Sequence, residues 1–144
     1  MIREEGAPRI LPGLDPLNRP FWTGGARGEL LVARCGACDV WQHPPQDFCQ
    51  ACGGRETAPQ PVSGKGRVVT FTINRQAWLP GMAVPFVLAA VELIEQAGLF
   101  LIVNIVGVDP EQVRAGMAVT VDFIAQDDIF LPVFRPDRGW EAHR

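Results

Sequence analysis

Tyrosine is absent from the 144 residues, and the chain has one serine (Ser63), one lysine (Lys65) and two histidines (His43 and His143). These shortages exclude chemistry. A tyrosine general acid is unavailable, and neither histidine stands at a recognisable spacing from a serine or an uncommitted cysteine, so no nucleophile–base pair emerges. Phosphate-binding glycine loops are missing too, because Gly64-Lys65-Gly66 is a lone tripeptide that reads as a turn. No apolar run approaches the roughly 18 residues of a membrane span. The opening Met1-Ile2-Arg3-Glu4-Glu5-Gly6 has no apolar stretch of the signal-peptide kind. Basic excess is also lacking. The formal net charge is −3, which weighs against a nucleic-acid partner, whose groove needs basic residues interleaved with stacking aromatics. Charged residues make up 20% of the chain against about 25% in an average domain, as expected if a partner covers part of the surface. The expectation is a soluble, cytoplasmic protein that is not an independent enzyme.

The chemistry that is present lies in four cysteines. Cys35-Gly36-Ala37-Cys38 and Cys49-Gln50-Ala51-Cys52 form C-x2-C-x10-C-x2-C. Two thiolates separated by two residues grip an ion from one tight turn, and a second turn completes a tetrahedron. Gly36, Gly53 and Gly54 supply close approach or positive φ in these turns. Thiols stay reduced in the cytoplasm, so disulfides are not expected. Four sulfurs leave no open coordination position, which makes the ion structural. Zn2+ is the expected metal, and iron in a rubredoxin-type site uses the same ligands. An iron site would make the chain an electron carrier. His43, between the knuckles, reads as an exposed loop residue, and His143 lies in a frayed tail.

Around this quartet the pattern is mainly β. Residues 1–14 read as an extended arm. Asn18-Arg19-Pro20-Phe21-Trp22 reads as a helix start capped by Asn18 and stopped by Gly24-Gly25. Glu29 to Arg34 reads as a strand leading into Cys35, and Pro59 to Gly64 as a linker. Beyond it come five strands. Val69, Phe71 and Ile73 share the inward parity of the first, and Val87, Ala89, Val91 and Leu93 that of the second. Leu99 to Val106 is apolar almost throughout and is expected to be buried on both faces. A short helical turn follows, capped by Asp109 and ended by Gly116, and then two strands around Asp127-Asp128, the last an edge because of Pro132. Residues 135–144 read as frayed. Three strands, a helix and two strands is the order of a five-stranded OB barrel. An SH3-like barrel or a small sandwich shares much of this pattern.

The segment Gln76 to Pro85 is an apolar loop between the first two barrel strands, carrying Trp78, Leu79, Met82 and Val84. Such a loop either folds back over the barrel mouth or the metal module, or presents a protein interface or acyl-chain contact.

Taken together, Pro20-Phe21-Trp22, Gly28-Glu29-Leu30-Leu31, the cysteine knuckles, Gly66 to Thr72, Pro85 to Leu93, Gly116 to Val119 and Pro132-Val133-Phe134 resemble a family of small bacterial and archaeal proteins. These have an N-terminal helix, a rubredoxin-like zinc ribbon and a C-terminal acyl-CoA-associated OB-fold. The resemblance covers roughly residues 16 to 136. With the composition outside that stretch, the expected organisation is an arm and short helix over 1–28, a ribbon over 29–58, an OB-fold over 62–136 and a tail over 137–144. The resemblance further implies a non-catalytic scaffold that binds a thiolase-superfamily enzyme as a hetero-oligomer and helps form its acyl-CoA site in lipid, steroid side-chain or polyketide metabolism. Cys35, Cys38, Cys49 and Cys52 are then the metal ligands. Phe21, Trp22, Trp78, Leu79 and Met82 are candidate partner contacts, and Arg67 and Arg75 candidate contacts to CoA phosphates.

Overall fold

The computed structural model describes residues 1, 2, 4 and 8–137; the expected tail beyond 137, with His143, lies outside them. The fold is mainly β, with one short helix, a small three-stranded sheet and a closed five-stranded OB-fold barrel.

Helix α1 (Arg19–Thr23) starts where Pro20 can occupy the first turn without losing a bond. Asn18 does not cap it, contrary to expectation. Its Oδ1 instead accepts from Asp15 N–H at 2.9 Å, while Asp15 Oδ1 accepts from Asn18 N–H at 2.7 Å, so the two side chains close a turn ahead of the helix. Nor do the glycines stop the chain's winding. Gly24–Arg27 tighten into a 3-10 turn that ends at Gly28, with φ 72°. Here glycine is required by space: a Cβ on Gly25 would stand 2.6 Å from Phe123 Cδ1 and 2.6 Å from Phe130 Cβ. Gly25 seats the helical turn directly on the barrel, while Gly24 lies against Glu29 and Leu31.

Strand β1 (Leu30–Cys35) lies between β2 (Trp41–Gln42) and β3 (Thr57–Val62). The expected linker is therefore wrong for Pro59 to Val62, which pair with β1 through Ala33↔Pro59 and Leu31↔Pro61. Both prolines share one parity, so their missing N–H groups point to the open side of an edge strand and no ladder bond is lost.

The barrel runs β4 (Lys65–Asn74), β5 (Phe86–Leu93), β6 (Phe100–Ile105), β8 (Ile129–Pro136) and β7 (Ala118–Gln126), closing on β4. β5 alternates as expected, with Val87, Ala89, Val91 and Leu93 all inside. β4 does not. A bulge between Val68 and Thr70 shifts its register on β5, so Val68 is buried and Val69 turns to solvent, while Phe71 and Ile73 face inward after the bulge. β6 is also one-sided: Leu101, Val103 and Ile105 are buried, whereas Phe100 and Ile102 are exposed. An apolar run sitting in a barrel wall has only one interior to fill. Asp109 does cap the 3-10 turn Pro110–Gln112, accepting from Glu111 N–H at 2.9 Å. At the chain's end, Arg135 and Pro136 belong to β8, and the Asp137 carboxylate accepts from Thr120 Oγ1 at 2.7 Å, so the frayed segment does not begin at 135.

The two sheets share one core. Phe21, Leu30, Val32 and Trp41 cluster with Val68, Leu93, Leu101 and Phe134 of the barrel. Among the described residues no helix is long and apolar enough to cross a membrane.

Candidate functional site

The cysteines come together by a repeated local geometry. In each knuckle the residue after the second cysteine adopts left-handed backbone, Asp39 at φ 67° and Gly53 at φ 78°. Its N–H donates back to the first cysteine's carbonyl, at 2.9 Å from Asp39 to Cys35 and 2.8 Å from Gly53 to Cys49. The resulting turns present all four Sγ atoms within 4.8 Å of one another. The Cys35–Cys52 and Cys38–Cys49 separations are 3.7 and 3.6 Å. A tetrahedral ion with bonds of roughly 2.3 Å needs its sulfurs about 3.8 Å apart, so the set fits a four-coordinate metal.

Backbone donors surround the sulfurs. Ala37 N–H points at Cys35 Sγ (3.3 Å), Ala51 and Cys52 N–H at Cys49 Sγ (3.4 and 3.5 Å), and Gly54 N–H at Cys52 Sγ (3.4 Å). The Cys52 amide, aided by that of Ala51, brings the Cys49 thiol down to about 6. At Cys38 a favourable Val40 amide is outweighed by desolvation and the three neighbouring sulfurs, which push it up to about 12. Four thiolates so close persist together only around a cation. A complete four-sulfur shell supplies shape and offers a substrate no open position.

The expected partner-facing residues are scattered. Phe21 is buried inside the chain, its ring 4.8 Å from Trp22 and 4.6 Å from His43, so it offers little surface. Trp22 is partly exposed beside it. His43 is not the exposed loop residue expected: it is tucked against Phe21, and desolvation lowers its pKa. The apolar loop borders a cavity at the barrel mouth without filling it. Trp78 is 66% exposed and anchored through Nε1 to Asn74 Oδ1 at 2.9 Å. Leu79 and Met82 line one side of a cavity of about 540 Å³ at the barrel mouth, facing Arg9 and Ile10 of the N-terminal arm. Each candidate phosphate ligand already holds a carboxylate, Arg67 pairing with Glu92 at 2.8 Å and Arg75 with Glu111. A phosphate would share either guanidinium with a glutamate, whose charge opposes it.

Sequence reasoning missed two devices. Gln96, at the β5–β6 turn, pairs with the backbone of Trp41: Trp41 N–H donates to Oε1 at 2.9 Å and Nε2 donates to the Trp41 carbonyl at 2.9 Å. One side-chain amide thus serves as a strand partner for β2 and ties the metal module to the barrel. The arm is likewise fastened, because Arg9 exchanges backbone bonds with the Gln126 side chain and its guanidinium donates to Asn104 Oδ1 at 2.8 Å. No local pattern announces either; both join residues more than fifty positions apart.

Comparison with known proteins places these features. Residues 22–58 match the family described as the ChsH2 rubredoxin-like zinc ribbon domain, and residues 59–123 that described as the ChsH2 C-terminal OB-fold domain. The "Probable enoyl-CoA hydratase alpha subunit" of Thermomonospora curvata is 35% identical over 136 residues, covering 92% of this chain and 42% of its own length. The 3-oxo-4,17-pregnadiene-20-carboxyl-CoA hydratase alpha subunit of Mycobacterium tuberculosis is 33% identical over 147 residues, covering 94% of this chain and 46% of its own length. A DUF35 domain-containing scaffold protein of Pyrococcus furiosus is 36% identical over 78 residues, 53% of this chain and 55% of its own. The chain therefore spans less than half the length of the two hydratase subunits. A chain of the solved Ltp2-ChsH2(DUF35) aldolase is 34% identical with a TM-score of 0.76, the match covering 88% of this chain and 98% of that one. With both modules matched and that relative covered almost end to end, this chain belongs to the ChsH2 family of DUF35 proteins, in which a rubredoxin-like zinc ribbon is joined to an OB-fold barrel.

Proposed function

We propose that this chain is a non-catalytic subunit that holds one zinc ion through Cys35, Cys38, Cys49 and Cys52 and associates with a thiolase-like enzyme, helping to complete that enzyme's acyl-CoA site. The observation that carries the proposal is the near end-to-end likeness to the DUF35 chain of a two-component aldolase. The chemistry agrees with it. The sulfur set has room for a metal and none for a substrate, and Trp78 and Leu79 stand exposed beside the mouth cavity. Zinc is favoured over iron because the matched ribbon family is a zinc ribbon and the set needs no redox change to hold its shape.

Affinity-tagged chain from the native host should co-purify with a thiolase-type polypeptide, and elemental analysis should find zinc. Trp78→Ala with Met82→Ala should weaken that complex while leaving the chain's own melting unchanged. The proposal fails if the chain always runs alone, or if the purified chain turns over an acyl-CoA thioester unaided. A reddish preparation containing iron would overturn the metal assignment alone.

A further inference from the structure

The barrel closes less completely than its strand order implies. Leu93 N–H donates to the Leu99 carbonyl at 2.9 Å, which marks the odd-numbered residues of this hairpin as those bonded between β5 and β6. The even-numbered residues Phe100 and Ile102 then turn their backbone N–H and C=O to the opposite edge. Val106 N–H, on that same parity, does find a partner there, donating to the Phe134 carbonyl at 2.8 Å. But β8 meets β6 only at Ile105↔Phe134. One step further along the parallel ladder, β8 presents Pro132 on the parity that faces β6, and proline has no N–H to donate. The ladder stops, and the backbone of Phe100 and Ile102 faces a groove instead of a strand.

That groove encloses about 440 Å³ between β6 on one wall and Trp22, Phe21, His43, Pro44 and Pro132 on the others. Among the described residues, none lining it carries a formal charge. His43 Nδ1 is buried without a hydrogen-bond partner. The side chains of Phe100 and Ile102, 43% and 67% exposed, extend the apolar surface outward.

We infer that this groove is a strand-addition site, in which the open edge Phe100–Ile102 takes a short, extended, uncharged and apolar segment of the partner enzyme. The inference rests on the partner-subunit reading above and adds a second surface to the apolar loop named there. The class of occupant follows from the groups on offer. Backbone donors and acceptors repeating every second residue match an extended peptide, which gains affinity from the main chain and selectivity from its alternate side chains. An acyl chain brings no donor or acceptor to that edge, and a phosphate-bearing strand finds no countercharge. Two open residues with their intervening neighbour span about 7 Å, so three or four residues of the enzyme suffice. Pro132 keeps β8 from competing for the same groups.

Hydrogen–deuterium exchange on the isolated chain and on its complex with the thiolase-like enzyme identified by co-purification tests the inference. The Phe100 and Ile102 amides should exchange freely alone and slow by about tenfold or more in the complex. Ile102→Pro removes the outward donor while leaving the odd-parity bonds to β5 in place, and Ile102→Lys keeps the backbone but puts a charge at the edge. Each should weaken the complex by about tenfold or more, with metal content and melting unchanged. If Ile102→Pro does not fold, Ile102→Lys decides. Amides that stay fast in the complex, or both variants binding like wild type, overturn strand addition and leave the partner reading standing. A wild-type chain that captures no such enzyme overturns both. If Ile102→Lys instead turns a homodimer into a monomer and spares enzyme binding, a second copy is the occupant and the inference is wrong.

Discussion

Gly25→Ala isolates the contact that seats the N-terminal helical turn on the barrel. The added methyl would sit 2.6 Å from Phe123 Cδ1 and 2.6 Å from Phe130 Cβ, against about 3.5–4.0 Å for carbon atoms at ordinary separation. Neither neighbour can step aside cheaply. Phe123 is 5% exposed and held in the core, and the Phe130 atom is a Cβ fixed to its strand. Overpacking of this kind costs about 1–3 kcal/mol, and the helical preference of Ala over Gly returns up to about 1 kcal/mol. Two fixed neighbours at 2.6 Å put the overpacking cost in the upper part of its range, about 2–3 kcal/mol. The net loss of about 1–2 kcal/mol corresponds to a fall in Tm of roughly 3–7 °C, at about 3 °C per kcal/mol for a chain of this size. Circular dichroism melting of the metal-loaded protein measures it. Gly13→Ala is the control, since nothing lies within 4 Å of its Cβ position; it should leave Tm unchanged or slightly raised. A Gly25→Ala protein that melts within about 1 °C of wild type would refute the seating of this turn on Phe123 and Phe130, and with it the wall that Trp22 gives the groove.

Cys49→Ser removes a buried ligand that accepts two backbone N–H bonds. It should lower bound metal well below one equivalent by elemental analysis and release the amides of β1 and β3 to exchange; full stoichiometry would contradict the four-sulfur shell. Gln96→Ala leaves the Trp41 N–H and carbonyl without their side-chain partner, which should cost about 1–3 kcal/mol and raise exchange at Trp41 selectively. Glu92 titrates below its ordinary 4.5 because Gly98 N–H bonds it and Arg67 pairs with it. A depressed carboxylate stabilises the fold above its ordinary pKa and loses that contribution as pH falls through the lowered value. Wild type should therefore exceed Glu92→Gln in stability at neutral pH, and denaturant titrations should show the gap narrowing on acidification below 4.5; a pH-independent gap would refute the pairing.

What could be read in the sequence was whatever depends on neighbours along the chain. The β5 alternation from Val87 to Leu93, the Asp109 cap and the two knuckles each declare themselves within ten residues, and the order of the barrel strands follows from them. What escaped depends on residues far apart. Pro59 and Pro61 look like linker until an edge position makes their missing donors harmless. Val69 looks inward until a bulge, which needs the facing β5 to be known, reverses the parity. Phe100 and Ile102 look buried because apolar content does not report how many faces of a strand are covered. Gly24-Gly25 looks like a helix stop because the phenylalanines that Gly25 lies against are about a hundred residues away. At the site, the four sulfurs were legible from spacing alone, whereas Gln96 on Trp41 and Arg9 on Gln126 and Asn104 were not, since a lone glutamine or arginine carries no periodicity.

The ring of Pro132 also matters to the molecule when it is by itself. Closure ordinarily leaves a barrel nothing to polymerise onto, yet here a few residues of wall remain available to any strand that arrives, flanked by a phenylalanine and an isoleucine and guarded by no lysine. Natural sheets defend such borders with charge, prolines or bulges because like molecules stack on them. If this edge takes a strand from an enzyme as proposed, chain prepared without that enzyme should clump along this flank, and light scattering at rising concentration checks it.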